Sequence, residues 1–406
     1  MRFVLLNQYY APDEAATAQM AGDVGAELVR AGHEVWAICC DRSYGQPKRR
    51  YVRRETIEGV RIDRVRSTAF GRSTAIGRLA DYLTFVLGAA RRLLFGPRPD
   101  VVIALTTPPM IAYLALLIRR VRSFKLAFWS MDVYPDIAYE LGAIKRGSMA
   151  GRFFTRTSDA VLRSSDVVIA LGETMAARLG QLGASRVEVV HNWADGDAIV
   201  PRTANDCPPR ADWGWQNRFV ALYSGNLGLA HEFETVLSAA RRLSSMMPDV
   251  LFAFVGVGPR LKEVREAARD LPNVEFRDYV DRSRLGDTLT AADLHLVTLR
   301  PNMPGLLVPS KIYGILAAGR PTIYVGPDAG EIAGILREGH CGASVRNGDI
   351  DGLVAIIAEY ACDSIRRDRE GENARALFER RFTRRKSLDA FRHIVEGLAN
   401  SGVRVT

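Results

Sequence analysis

Short apolar runs separated by helix-length amphipathic stretches recur along this chain. The first run, residues 2–6, is followed by a polar loop, a helical pattern over residues 15–31 and a second apolar run at 34–40. The same rhythm predicts further strands at 101–105, 125–129, 167–170 and 187–190. Short, wholly apolar strands that alternate with helices are typical of a parallel sheet covered on both faces.

The strand–helix rhythm restarts after a stretch rich in proline and aspartate. Residues 200–215 contain three prolines and two aspartates, which predicts a linker. Further strands are predicted at 219–224, 251–255, 274–276, 294–299 and 322–325. Because 406 residues exceed what one hydrophobic core normally holds, we predict an α/β fold of two doubly wound, Rossmann-like domains. We expect the domains, residues 1–200 and 201–381, to face each other across a cleft.

The C-terminal tail is charged and helical in pattern. Its apolar positions form a predicted buried stripe of Phe378, Phe382, Leu388, Phe391 and Ile394. We expect the helix over residues 382–400 to pack back on the first domain.

Composition excludes several classes of protein. The longest apolar runs, at 82–90 and 110–118, are shorter than the ~18 residues of a membrane span. The apolar stretch behind Met1 is too short for a secretory signal, so we expect a cytoplasmic location. The five cysteines have no metal-ligand spacing, and neither a metal nor a cofactor is expected.

Positive charge is concentrated in one part of the chain. The formal net charge is +9, and residues 42–98 alone hold fourteen basic and four acidic side chains. Such a surplus is either a solvated arginine face or a surface that meets anionic lipid or a phosphate-bearing partner. No aromatic and basic pattern accompanies it, so nucleic-acid binding is not expected.

The stretch "PGLLVPSKIYGILAAGRP" places a lysine where a helix should begin. Ser310 is a suitable N-cap, and Lys311 follows in the first turn. A cation is unfavourable at a helix N-terminus unless an anion is bound there, so Lys311 indicates a phosphate site. The alternative is a lysine that simply points to water.

A glycine-rich loop, "YSGNLGLAHE", follows the first predicted strand of the second domain. Gly225 allows close backbone approach, and Asn226 and His231 are candidate donors to a diphosphate. Gly256 lies in a similar loop, "GVGPRL", after the next strand. The alternative is a tight strand–helix turn with a helix-capping histidine.

Two carboxylates follow the predicted strand at 125–129. In "SMDVYPD", Asp132 and Asp136 lie four residues apart, and Asp132 is the preferred candidate for holding or deprotonating an acceptor hydroxyl. The alternative is helix-entry capping by aspartate beside proline.

Taken together, these segments resemble a known family. In order and spacing, "FWSMDVYPDIAYELGAI", "VEVVHNWAD", "LYSGNLGLAHEFETVLSAA", "LFAFVGVGPRL", "VEFRDYV" and "VPSKIYGILAAGRPTIY" are similar to the GT-B glycosyltransferases of family 4, including the N-acetylfucosamine transferases. The resemblance implies that the C-terminal domain binds a nucleotide-sugar and the N-terminal domain binds the acceptor. It also implies donor-binding roles for Tyr279, Val280, Leu307, Ser310 and Lys311.

The sequence departs from the family pattern in the diphosphate loop, where many relatives have arginine and lysine, and at three further positions. The glutamates of the E-x7-E motif should fall on Leu306 and Gly314, and a site histidine aligns with Met131. Their roles do not carry over, which makes Ser310 and Lys311 the expected donor anchor.

The resemblance implies a retaining glycosyltransferase that uses a nucleoside diphosphate sugar, with a UDP-sugar expected. The implied acceptor is a glycan or a polyprenyl-diphosphate-linked sugar in bacterial surface polysaccharide synthesis, with peripheral contact to the anionic inner membrane. Two alternatives stay open: a nucleotide-sugar 2-epimerase and a non-catalytic GT-B partner subunit.

Overall fold

The computed structural model describes residues 1–46, 48–68, 70 and 75–400. This part of the chain divides into two compact units, Met1–His191 together with the chain from Leu388 onward, and Asn192–Ser387. The first boundary therefore lies ahead of residue 200, where the proline-rich composition had placed it.

The first unit is built on a sheet in which eight strands are described. In sheet order they run β3-β4-β2-β1-β5-β6-β7-β8, and the β3–β4 pair is antiparallel whereas the other pairs are parallel. The strands are β1 Arg2–Leu6, β2 Glu34–Cys40, β3 Arg54–Ile57, β4 Val60–Val65, β5 Val101–Ala104, β6 Lys125–Trp129, β7 Val167–Ala170 and β8 Val187–Val189. Its helices include α1 Ala16–Arg30, α2 Ala75–Phe95, α3 Ile111–Arg119, α4 Asp136–Glu140, α5 Met149–Ser164 and α6 Glu173–Gln181.

The second unit carries a parallel sheet with six described strands in the order β11-β10-β9-β12-β13-β14. These are β9 Phe219–Ser224, β10 Val250–Val255, β11 Val274–Arg277, β12 Leu294–Thr298, β13 Thr322–Val325 and β14 Gly342–Val345. Its helices are α7 Pro208–Asp212, α8 Glu234–Met246, α9 Leu261–Ala267, α10 Leu285–Thr290, α11 Lys311–Ala317, α12 Glu331–Gly339, α13 Ile350–Cys362 and α14 Ser364–Arg381. The last helix, α15 Arg384–Asn400, crosses the unit boundary at residue 388.

Most of the predicted strands have side chains that are buried from both faces, whereas β8 and β11 are half-buried along their length. In β5 and β7, which share the sequence VVIA, every side chain is buried. The sequence analysis did not predict β3, β4 and β14. In β3 the side chains alternate between exposed and half-buried, so that strand lacks the continuous apolar run that marks the others.

The predicted linker at 200–215 is wrong in its C-terminal half, which is part of the second unit. Cys207 and Trp215 are buried, and the Arg210 side chain between them is only 2% exposed. Its guanidinium donates to the carboxylate of Asp293 at 2.6 Å and to the carbonyl of Ala291 at 2.7 Å. This ion pair joins the segment to a residue 83 positions away, so the segment is part of the folded unit and not a linker.

The predicted stripe of the tail is buried at four of its five positions. Ile394 is half-buried, and its neighbour Val395 is fully buried instead. The ring of Phe382 packs on Tyr313 at 5.2 Å in the second unit. The ring of Phe391 packs on Trp129 at 4.6 Å in the first. Among the helices that the structure describes, none combines the length and hydropathy of a membrane-spanning segment.

We expect Arg210→Ala to destabilise the protein by about 3 kcal/mol, because it leaves the Asp293 carboxylate and several carbonyls without their buried partner. Urea denaturation of both proteins measures the difference. Arg242→Ala is the matched control, since its ion pair with Asp351 is exposed and worth less than ~1 kcal/mol. Equal losses in the two variants would contradict a structural role for Arg210.

Candidate active site

Two glycine turns lie at the carboxyl ends of β9 and β10. At Gly225 the backbone has φ 121°, and its N–H donates to Val255 O at 2.9 Å. A Cβ on Gly256 would lie 2.1 Å from Gly225 O, and one on Gly258 would lie 2.4 Å from Leu227 O. The glycines of the second turn therefore allow the two turns to pack backbone against backbone. The close packing of the two turns is by itself enough to require glycine at position 256. The donor-binding role of Gly256 stays a prediction.

Lys311 begins α11 and extends to the first glycine turn. Its Nζ lies 3.4 Å from the centre of the Tyr223 ring, and a Cβ on Gly225 would be 3.9 Å from Nζ. The residue as a whole keeps partial exposure, but the Nζ atom is buried and has no hydrogen-bond partner among the described residues. Burial holds the pKa of Lys311 well below its usual range. The alternative interpretation, in which the Lys311 side chain simply points to water, is thus excluded.

A charged Lys311 is costly in these surroundings. Burial favours the neutral amine over the ammonium, and the face of the Tyr223 ring offsets only part of the cost of ionising it. Ser310 occupies the N-cap position as predicted, but its side chain is exposed and caps no N–H of the helix. An anion beside Nζ would supply the missing partner.

His231 differs from its predicted role as a hydrogen-bond donor to a diphosphate. Its Nδ1 lies 2.6 Å from Thr298 O, and because a carbonyl only accepts, Nδ1 carries the proton. Burial, and then the charge of Lys311, lower the pKa of His231 to about 3, so the ring is neutral near pH 7. In this tautomer Nε2 is an acceptor, which suits a hydroxyl rather than a phosphate oxygen.

Arg260 holds the loop around His231 together. Its side chain, 4% exposed, donates to His231 O at 2.6 Å and to Glu234 Oε1 at 2.6 Å. A backbone N–H at the start of α8 has a partner within the same loop, because the Glu232 carboxylate accepts from the N–H of Thr235 at 2.7 Å. Neither Arg260, in the loop after β10, nor Tyr223, in β9, is among the predicted site residues.

The other predicted donor-binding residues are less closely connected. The Asn226 side chain is exposed beside the Gly225 turn, and Leu307 is half-buried ahead of α11. Tyr279 is 64% exposed, whereas Val280 packs with Trp213 against the cluster of Cys207 and Trp215. No hydrogen bond or ring contact of the described residues joins Tyr279 or Val280 to Lys311.

The two positions that lack the family's glutamates are apolar in their surroundings. Leu306 is 5% exposed, and a Cβ on Gly314 would lie 3.1 Å from Leu289 Cδ1. The described residues contain no group of three His, Cys, Asp or Glu side chains that could hold a metal ion.

Asp132 and Asp136 have different environments. Asp136 is 6% exposed at the start of α4, where its carboxylate accepts from Arg178 at 3.0 Å. Asp132 makes no salt bridge with any described residue. Part of its surface is accessible, yet burial of the carboxyl raises its pKa to about 6. Asp136 is therefore held in an ion pair, whereas Asp132, which follows buried Met131, has no cation beside it among the described residues, and its catalytic role stays a prediction.

Three buried polar side chains that the sequence analysis missed lie near Asp132 in the topology. Asn7 and Gln8 follow β1, and Thr106 follows β5, which lies between β1 and β6. They are 1%, 4% and 5% exposed, and Asn7 Oδ1, Gln8 Oε1 and Thr106 Oγ1 have no hydrogen-bond partner among the described residues. The strand order reverses between β1 and β5, where ligands of doubly wound sheets bind. Polar residues directly after apolar strands were the signal available in the sequence.

Sequence comparisons place the chain in a family. The family described as "Glycosyl transferase 4-like domain" matches residues 16–193, and "Glycosyl transferases group 1" matches residues 218–363. The probable glycosyltransferase WbjE of Pseudomonas aeruginosa is 29% identical over 64% of this chain and 66% of its own length, just under two thirds. The putative colanic acid biosynthesis glycosyl transferase WcaI of Escherichia coli K12 is 26% identical over 79% of this chain and 82% of its own.

A solved structure shows the same fold over the whole chain. HepE of Anabaena, in complex with UDP-glucose, matches with a TM-score of 0.72 and 16% identity, covering 98% of this chain and 100% of that one. The chain is thus one of the glycosyltransferases with the GT-B fold, as the sequence analysis expected. Within that class it belongs to family 4.

Asp132→Asn should stabilise the protein at alkaline pH. The folded pKa of about 6 lies above the ordinary value of 3.8, so the wild type bears the cost of an ionised, buried carboxylate above pH 6 and is relieved of it below about pH 4. We expect a gain of about 1–2 kcal/mol at pH 8 that fades as the pH falls to 4. Denaturant unfolding of both proteins across this range measures it, and a gain independent of pH would refute the assignment.

Proposed function

We propose that this chain transfers a sugar from a nucleoside diphosphate donor, a UDP-sugar, to a hydroxyl of a glycan or lipid-linked acceptor in bacterial surface polysaccharide synthesis. The reaction breaks the bond between the anomeric carbon and the diphosphate and forms a bond to the acceptor oxygen, whose proton leaves. Retention of configuration follows from the family resemblance alone. We propose that it proceeds without a resident metal or cofactor.

The observation that carries this proposal is the buried Nζ atom of Lys311 beside the Gly225 turn, which has no hydrogen-bond partner among the described residues and which a bound diphosphate would hold in its charged form. A leaving diphosphate gains negative charge as the glycosidic bond breaks, and a cation held in a water-poor site stabilises that charge strongly. The tetrahedral ammonium can donate up to three hydrogen bonds to the phosphate oxygens.

Relatives support the choice of substrate. The name of WcaI refers to colanic acid biosynthesis, and HepE was solved with UDP-glucose. The HepE complex supports a UDP-sugar donor, and the name of WcaI supports a polysaccharide acceptor.

Residues of the first unit suit the acceptor. Asp132, with a pKa near 6, can accept the proton of the attacking hydroxyl near neutral pH. Gln8 Oε1 and Thr106 Oγ1 offer free acceptor positions to sugar hydroxyls. His231, through Nε2, suits a hydroxyl of the donor sugar.

Lys311→Met should raise the melting temperature of the ligand-free protein by about 2–4 °C, because a thioether of similar length needs no hydrogen bonds. The same change should remove the thermal stabilisation by UDP, with affinity lower by about tenfold or more. Thermal-shift titration with UDP measures both effects. Lys262→Met, which changes an exposed lysine of the same unit, serves as the control and should alter neither. Unchanged UDP stabilisation in Lys311→Met would overturn the proposed donor site.

Asp132→Asn should lower sugar transfer by about 100-fold while UDP binding is retained, because it removes the proton acceptor and leaves Lys311 in place. The assay measures UDP release and glycosylated product with a UDP-sugar panel and a lipid-linked acceptor. Conversion of the donor alone into an epimer would instead identify an epimerase. UDP binding without turnover on any acceptor would favour a non-catalytic partner subunit.

A further inference from the structure

The Lys311 amine lies in surroundings that do not stabilise its charged form. Its Nζ atom is buried, and among the described residues nothing accepts a hydrogen bond from it and no carboxylate pairs with it. It lies over the Tyr223 ring, 3.4 Å from the ring centre, and beside the bare backbone of Gly225. An ammonium ion in such a place loses its hydration without gaining hydrogen bonds, so the neutral amine is favoured.

The Tyr223 side chain is fixed where it faces this amine. It is fully buried in the core of the second unit, and its hydroxyl donates to Asn226 O at 2.9 Å. The ring packs edge to face on Phe233 at 5.1 Å. Tyr223 thus joins the glycine turn to the core and presents an uncharged ring to Nζ in place of a hydrogen-bond acceptor.

The charged groups of the neighbouring elements offset one another. They are Arg260 and Glu263 after β10, Glu234 at the start of α8 and Arg300 after β12. Arg260 donates to both carboxylates. Its hydrogen bonds, and then the charge of Arg300, hold the pKa of Glu263 below its usual range. Neither carboxylate forms an ion pair with Lys311, so its amine has no counter-ion from these elements.

Two further titratable groups lie in the loop between β9 and α8. The Nδ1 atom of His231 donates to Thr298 O, and burial lowers the pKa of its ring to about 3. Burial raises the pKa of Glu232, whose carboxylate accepts from the N–H and the hydroxyl of Thr235. Either group could take up a proton beside a bound anion, so an experiment on Lys311 has to separate the three.

A diphosphate supplies what the Lys311 amine lacks. Its oxygens accept hydrogen bonds and its negative charge favours the ammonium form. We propose that Lys311 lies on the Tyr223 ring as a neutral amine in the ligand-free protein and takes up one proton when the diphosphate of the donor binds.

The inference rests on the proposed donor site and adds a pH dependence to it. The pKa of the amine is low in the free protein and higher in the complex, so binding takes up a proton between the two values. The affinity for UDP therefore falls as the pH rises through this window, by about tenfold per pH unit for one proton. The terminal phosphate of UDP, with a pKa of about 6, is already ionised at pH 8 and does not mask the effect.

The test is isothermal titration calorimetry of the full chain with UDP at pH 8. The apparent enthalpy is measured in HEPES and in Tris, which differ in enthalpy of ionisation, and its slope against that enthalpy counts the protons. We expect the wild type to take up about one proton per UDP and to bind about tenfold more weakly at pH 8.5 than at pH 7.5.

Three kinds of variant assign the proton to its residue. Lys311→Arg, whose guanidinium is charged without a ligand, should bind UDP with no proton uptake. His231→Gln and Glu232→Gln remove the other two titratable groups, and each should keep the uptake. Lys262→Met, which changes an exposed lysine of the same unit, should behave like the wild type.

The remaining outcomes are decisive as well. Binding of UDP by the wild type without proton uptake, or with an affinity independent of pH, overturns the inference and leaves the donor site standing. Uptake that is lost in His231→Gln or Glu232→Gln assigns the proton to that residue and also overturns it. If Lys311→Arg does not fold, the wild-type measurements and the two glutamine variants still decide. No binding of UDP at any pH removes the donor site itself, and the inference with it.

Discussion

The proposed donor site depends on one unfavourable arrangement, a lysine amine buried against an aromatic ring without a hydrogen-bond partner among the described residues. The fold holds Lys311 there because it begins α11 directly above the turn after β9, and the two glycine turns fit together closely enough to leave no room for another side chain. Such a group is tolerated in a stable protein when the surrounding structure over-determines its place. The neighbouring His231 is affected as well, because a charged Lys311 adds to burial in lowering the pKa of the His231 ring.

Much of the fold follows from local patterning. The bounds of β1, β2, β6, β7, β9 and β13 agree with the apolar runs because these strands are buried by helices along their length. The strands that escaped prediction have polar or half-exposed faces, as in β3. The prediction of a linker before β9 is wrong around Arg210, because local composition cannot show that Arg210 binds Asp293, which lies 83 residues further along the chain.

The candidate site also has some features that depend on local sequence and others that depend on distant residues. The sequence predicts Lys311 and Asp132 as site residues because one lies at a helix start and the other after a buried strand, and their roles stay predictions. It favoured Asp132 over Asp136, but it could not show the environment that distinguishes them, because this depends on Arg178, a residue of another helix. Nor could it assign the proton on His231, which is set by a carbonyl of β12. Partners distant in sequence determine the protonation and pairing of these groups, whereas their positions at strand ends are local.

The path of the chain through its two units has a consequence for biosynthesis. The first unit is completed only by the last helix, whose Phe391 packs on Trp129 of β6. About 260 residues separate the two rings, so a ribosome adding about 5–20 residues per second leaves Trp129 without this neighbour for roughly 10–50 seconds. The second unit is synthesised during that interval, so the first unit waits without its C-terminal helix until the whole of the second has been made.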